Sequence, residues 1–73
     1  GSGDVLTGIL LALLAQGYSA ANACRLGVYV HGLAGDLAAE TEGQIAMTAG
    51  SIVRHLPEAW KQVCQPQTNH ANI

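Results

Sequence analysis

Apolar residues crowd the first fifteen positions and then thin into a spaced pattern. Val5, Leu6, Ile9, Leu10, Leu11, Leu13 and Leu14 encircle a helix running from about Asp4 to Gln16. A helix apolar on every side is one buried on every side. Gly17 suits the left-handed position that follows many helix ends. Ser19 is a good N-cap for a second helix from Ala20 to about Glu42, stopped at Gly43. On it Leu26, Val30, Leu33, Ala34 and Leu37 recur at three-and-four spacing, marking one apolar face. Ala20, Ala21, Ala23, Gly27, Gly32 and Gly35 are small enough to admit a neighbouring helix. Each glycine costs about 1 kcal/mol of helix propensity relative to alanine.

Residues 43–47 read as a connection. A third helix then starts between Thr48 and Ser51, with Ile52, Val53 and Leu56 as its apolar positions. Pro57 suits the first turn of a separate fourth helix reaching about Val63, because proline has no donor to orphan there. Trp60 and Val63 would pack that helix onto the bundle. Residues 65–73 are polar, contain one proline and are expected to form a flexible tail. The pattern predicts an all-α fold, a small bundle of three to four helices over residues 1–64.

Composition complicates this picture. A chain of 73 residues allows one small domain, and such a domain buries only about 60% of the surface its unfolded chain exposes. Yet 49% of the residues are hydrophobic and 11% are charged. Three short helices cannot enclose the first one, so its neighbours are expected to lie outside these residues, on a partner or in a larger protein. The net charge of −2, with only Arg25, Arg54 and Lys61 as fixed cations, excludes a nucleic-acid-binding stripe. Tyr18, Tyr29 and Trp60 make no base-stacking platform. Residues 5–15 fall well short of the ~20 needed to span a membrane. Cys24 and Cys64 belong to no Cys-x-x-Cys pair and are expected to be free thiols in a reducing cytoplasm. Cys24 reads as a small core residue and Cys64 as an exposed one.

The densest chemistry sits at the start. Backbone N–H groups in a helix's first turn have no partner within the helix, and the helix dipole makes that end partly positive. Glycines there let a phosphate approach closely, so Gly1-Ser2-Gly3 is a candidate anion cradle. Asp4 follows it, a carboxylate placed to accept a proton from a hydroxyl. The same four residues also read as a cap before an apolar helix, or as a vector-derived Gly-Ser followed by one. Elsewhere the signals are weaker. His31 and Asp36 lie about 140° apart around a helix of ~3.6 residues per turn, so they form no metal pair. His31 reads as a packed or hydrogen-bonded helix residue. His55 and His70 have no companions at ligand spacing, and no metal site is expected.

Several separate motifs agree in order. They are the opening Gly1-Ser2-Gly3-Asp4-Val5-Leu6-Thr7-Gly8-Ile9, then Leu13-Leu14-Ala15-Gln16-Gly17, then 27–36 (GVYVHGLAGD), then Leu56-Pro57-Glu58-Ala59. Together they resemble the C-terminal end of ADP/ATP-dependent NAD(P)H-hydrate dehydratases, in the carbohydrate-kinase-related, ribokinase-like superfamily. The likeness covers roughly residues 1–60. It implies that this helical part belongs to a larger three-layer α/β fold. It also implies an enzyme that uses ADP or ATP, with Mg²⁺ accompanying the nucleotide, to dehydrate hydrated NADH or NADPH. Carried over by motif, Gly3 contacts the nucleotide, and Gly1 and Ser2 help form an anion hole. Asp4 then binds the hydrate's hydroxyl and acts as general base. A parent that is cytoplasmic and homo-oligomeric is expected, with these 73 residues inactive alone. A ribokinase-like kinase acting on a small molecule shares the Gly-x-Gly-Asp helix start and is the alternative. A small helical self-association module is the non-enzymatic one.

Overall fold

The computed structural model describes residues 1–64. Among them the chain folds as three α-helices and no strand, the all-α bundle expected: α1 Ser2–Ala15, α2 Ala20–Glu42 and α3 Ala49–Cys64. The expected flexible tail, 65–73, and His70 lie outside the described residues.

α1 and α2 form a hairpin. α1 ends in a Schellman motif: Tyr18 N–H bonds Leu13 O at 3.1 Å and Gly17 N–H bonds Leu14 O at 3.0 Å. That closure requires the positive φ of 99° at Gly17. Ser19 then caps α2, its hydroxyl accepting from Asn22 N–H at 3.2 Å. α2 stops at Gly43, whose φ is 85°.

α2 supplies the spine of the core. Ala23, Gly27, Val30, Ala34 and Ala38 are its buried residues, spaced to line one stripe of the helix. Against Val30 and Ala34 pack Ile52 and Ala59 of α3, with Val5, Leu26, Leu33, Leu37, Leu56, Trp60 and Val63 partly buried around them. Of the glycines on α2, Gly27 marks the close approach. A Cβ there would come within 2.6 Å of Leu10 Cδ2, whereas Gly32 and Gly35 face open space. A Cβ on Gly8 of α1 would likewise meet nothing within 4 Å among the described residues.

Three expectations are corrected. α1 starts at Ser2, with Gly1 as its cap, rather than at Asp4. The separate short helix from Pro57 does not exist, because Pro57 lies inside an unbroken α3. Its missing N–H removes the hydrogen bond to the carbonyl of Val53. Burial of Ile52 and Ala59 on either side of Pro57, with Leu56, Trp60 and Val63 packed onto the same cluster, outweighs that loss. Cys24 is exposed, not core. It stands about 100° round the helix from Ala23, off the buried stripe. Cys64 is exposed as expected, and both thiols are free.

α1 is poorly covered. Its only buried residue is Leu13, while Leu11 remains 61% and Leu14 45% exposed. Two of the leucines that encircle this helix therefore face solvent. Among the described residues, no helix is long and apolar enough to cross a membrane.

Candidate functional site

The first turn of α1 is held from behind and open in front. Its backbone ladder begins with Asp4 N–H and Val5 N–H, both bonded to Gly1 O at 3.1 and 3.2 Å. The Ser2 and Gly3 amides precede that ladder, and Gly1 provides no side-chain cap. Gly1, Ser2, Gly3 and Asp4 are all exposed. A Cβ on Gly3 would meet no atom within 4 Å, so its side of the turn is clear for a ligand. Two amide donors at a positive helix end, unobstructed by side chains, suit a phosphate.

Asp4 stands beside them with its side chain 96% exposed. Gly1, Ser2, Gly3 and Asp4 thus lie together on one turn. For a divalent ion the fit is poor. Asp4 is the one carboxylate in this turn, and octahedral Mg²⁺ needs several oxygen ligands, so phosphates or other residues would have to supply the remainder.

Two side chains fix the peptides of this turn. Thr7 Oγ1 donates to Gly3 O at 3.0 Å, one turn along the same helix. His31 reaches across from α2, its Nε2 lying 3.1 Å from Ser2 O and 3.0 Å from Ser2 Oγ. A carbonyl can only accept, so Nε2 carries the hydrogen and the hydroxyl oxygen shares it. The hydrogen-bonded role read for His31 is therefore met, but its partner is the cradle itself. A signal did exist: in a hairpin turning at Gly17, residues equidistant from the turn face one another. That places the start of α1 opposite the 31–33 stretch of α2.

A second polar cluster lies at the joint of α2 and α3. Ser51, wholly buried, donates through Oγ to Glu42 Oε1 at 2.6 Å. Arg54 donates to the same carboxylate oxygen at 2.9 Å. His55 Nδ1 donates to Ser51 O at 2.7 Å and lies 3.8 Å from Glu42 Oε2. The Ser51 hydroxyl foremost holds the Glu42 carboxyl below its ordinary pKa; desolvation opposes it, and Arg54 and His55 add to the lowering. Thr48 and Ser51 exchange reciprocal bonds, Ser51 N–H to Thr48 Oγ1 at 3.2 Å and Thr48 N–H to Ser51 Oγ at 3.1 Å. This is a capping box with serine in the place usually held by glutamate. Its groups are mutually occupied, so it fastens helices.

An apolar groove sits away from this chemistry. Ile9, Leu13, Val30, Leu56 and Trp60 help line about 470 Å³ between α1 and α3, towards the C-terminal half of α1. No titratable side chain lines it. The open first turn of α1, rather than this groove, carries the reactive groups.

Comparison with known proteins identifies the family. The family model described as NAD(P)H-hydrate dehydratase matches residues 1–58. The bifunctional NAD(P)H-hydrate repair enzyme of Thermofilum pendens is 51% identical over 59 residues, 81% of this chain and 11% of that protein. Its namesake from Moorella thermoacetica is 54% identical over 57 residues, 78% of this chain and 11% of that one. The ADP-dependent (S)-NAD(P)H-hydrate dehydratase of Neisseria meningitidis serogroup B is 47% identical over 53 residues, 71% of this chain and 18% of that protein. The chain thus spans between a tenth and a fifth of the length of these relatives. No solved structure matches it.

Proposed function

The chain belongs to the NAD(P)H-hydrate dehydratase family, and on that premise we propose that it forms the C-terminal helical part of an enzyme that dehydrates hydrated NADH or NADPH at the expense of ADP or ATP. The parent fold is a ribokinase-like α/β sandwich, and the uncovered leucines of α1 are buried against its remainder. The enzyme acts in the cytoplasm as a homo-oligomer. The observation that carries the reading is one turn of helix presenting free Ser2 and Gly3 amides beside the exposed Asp4 carboxylate.

The chemistry follows from those groups. Gly1, Ser2 and Gly3 receive the terminal phosphate of the nucleotide at the positive end of α1. Asp4 takes the proton from the hydroxyl that hydration placed on the nicotinamide ring. That oxygen forms a bond to phosphorus as the bond from phosphorus to the departing nucleotide breaks. Negative charge on the phosphoryl oxygens meets fixed amides that need no reorganisation. Phosphate then leaves with the C–O bonding pair while a proton leaves the adjacent ring carbon, and the C–H bonding pair restores the ring double bond. Mg²⁺, when bound with the nucleotide, would neutralise phosphate charge. Its ligands would come from the phosphates and from residues beyond this segment.

The test is substrate discrimination by the intact protein that carries this segment. ADP- or ATP-dependent recovery of NADH absorbance from hydrated NADH is expected, with no phosphorylation of hydroxymethylpyrimidine. The opposite preference would move the protein to the vitamin-precursor kinases that share its Gly-x-Gly-Asp start.

A further inference from the structure

The Ser2–Gly3 peptide has two ends, and they face different ways. Its carbonyl is Ser2 O, the atom that accepts from His31 Nε2 at 3.1 Å. Its N–H is that of Gly3, one of the two amides ahead of the α1 ladder. The C=O and N–H of a trans peptide point in opposite directions. A donor on the carbonyl therefore helps hold the Gly3 N–H pointing out of the start of the helix, and the flank of Gly3 is clear, since a Cβ there would meet nothing within 4 Å. Hydrogen bonds in series also polarise one another, so a carbonyl that accepts makes its own N–H the stronger donor. His31 is half-buried on α2, an element that the proposed chemistry does not otherwise use.

We propose that His31 is a positioning residue for phosphate transfer: its ring fixes the Ser2–Gly3 peptide so that the Gly3 amide meets the nucleotide's phosphate. This rests on the dehydratase reading above and adds to it a residue outside the Gly-Ser-Gly-Asp motif. Thr7 does the equivalent for the next peptide through Gly3 O, but from within α1. His31 alone among these side chains couples the turn to a second helix. The second contact, to Ser2 Oγ at 3.0 Å, ties the serine side chain to the same ring.

Steady-state kinetics of the intact protein carrying this segment provide the test, with nucleotide and hydrated NADH varied separately. His31→Leu keeps bulk and removes the donor. It is expected to lower kcat/KM for the nucleotide about five- to tenfold, the scale of one neutral hydrogen bond, with KM for hydrated NADH little changed. His31→Gln places an amide N–H near the position of Nε2 and is expected to recover most of that loss. His31→Asn is too short to reach Ser2 and is expected to resemble His31→Leu, which decides the matter should the leucine variant not fold. Wild-type kinetics in His31→Asn or His31→Leu would overturn the proposal, as would a glutamine variant no better than asparagine. A wild-type protein inactive on hydrated NADH would instead overturn the dehydratase reading, and this assignment with it.

Discussion

The first turn of α3 is closed by side chains, whereas the first turn of α1 is left to solvent. Thr48 and Ser51 occupy each other's amides, and Ser51 passes its hydroxyl hydrogen to Glu42. At α1 the cap is Gly1, with no side chain to offer, and its nearest carboxylate is exposed. Both turns have the same intrinsic polarity, set by the peptide dipoles. What differs is the side chains around the donors: Thr48 and Ser51 bond each other's amides, while Gly1 has no side chain to do so. A closed turn joins two helices; an open one beside a base is left free for a ligand. The two can therefore be told apart by substitution, since changes at α3 should be read in stability and changes at α1 in catalysis.

The sharpest contrast should come from Asp4→Asn. Loss of a general base is expected to lower kcat of the intact protein by about 10²–10⁴-fold. Its melting midpoint should hardly move, because the side chain is 96% exposed. A large fall in melting temperature with kcat preserved would erase the distinction between the turns. Ser51→Ala is the converse. It strips Thr48 N–H and Glu42 of a buried partner and should cost about 1–3 kcal/mol in denaturant unfolding.

Gly3→Ala sharpens the contrast at smaller amplitude. A methyl there meets no protein atom, so stability should rise slightly, by up to ~1 kcal/mol. Nucleotide affinity, measured by calorimetry, should nevertheless fall about tenfold, the equivalent of one lost backbone contact.

The mildest effect is pH dependence at the closed turn. Folding holds the Glu42 carboxyl below its ordinary value of 4.5, chiefly through the Ser51 hydroxyl. Its contribution to stability is therefore full above about that pH and is lost as pH falls through the lower folded value. Melting midpoints followed into acid should drop less steeply for Glu42→Gln than for the parent chain. An identical slope would remove Glu42 from the account.

Legibility in the sequence divides along similar lines. Local chemistry is readable: Ser19 as a cap, Gly17 and Gly43 as stops, and the Leu26–Leu37 stripe all follow from neighbours in the chain. That Gly1-Ser2-Gly3-Asp4 share one turn is readable too, because the four residues are contiguous. Contacts set by packing are not. Pro57 carries a strong local start signal, yet Leu56, Ala59 and Trp60 around it pack into the core, and burial overrides the signal. Cys24 reads as core because its surroundings are rich in alanine, but position around the helix decides burial. His31 and Ser2 are far apart in sequence and meet only because the hairpin brings them opposite. Ser51 is legible near a helix start but its partner Glu42 is not, since that pairing depends on how the 43–47 connection turns.

The seam between α2 and α3 is lined with methyl groups: Ala34, Ala38 and Ala59 are all fully buried. Tolerance at those positions is consequently one-sided. Shaving a methyl to hydrogen removes little volume, while each added carbon wedges two backbones apart and strains every layer along the crossing. Sequence drift through this seam should run toward glycine or serine and stall at valine or leucine, a ratchet set by the narrowness of the gap.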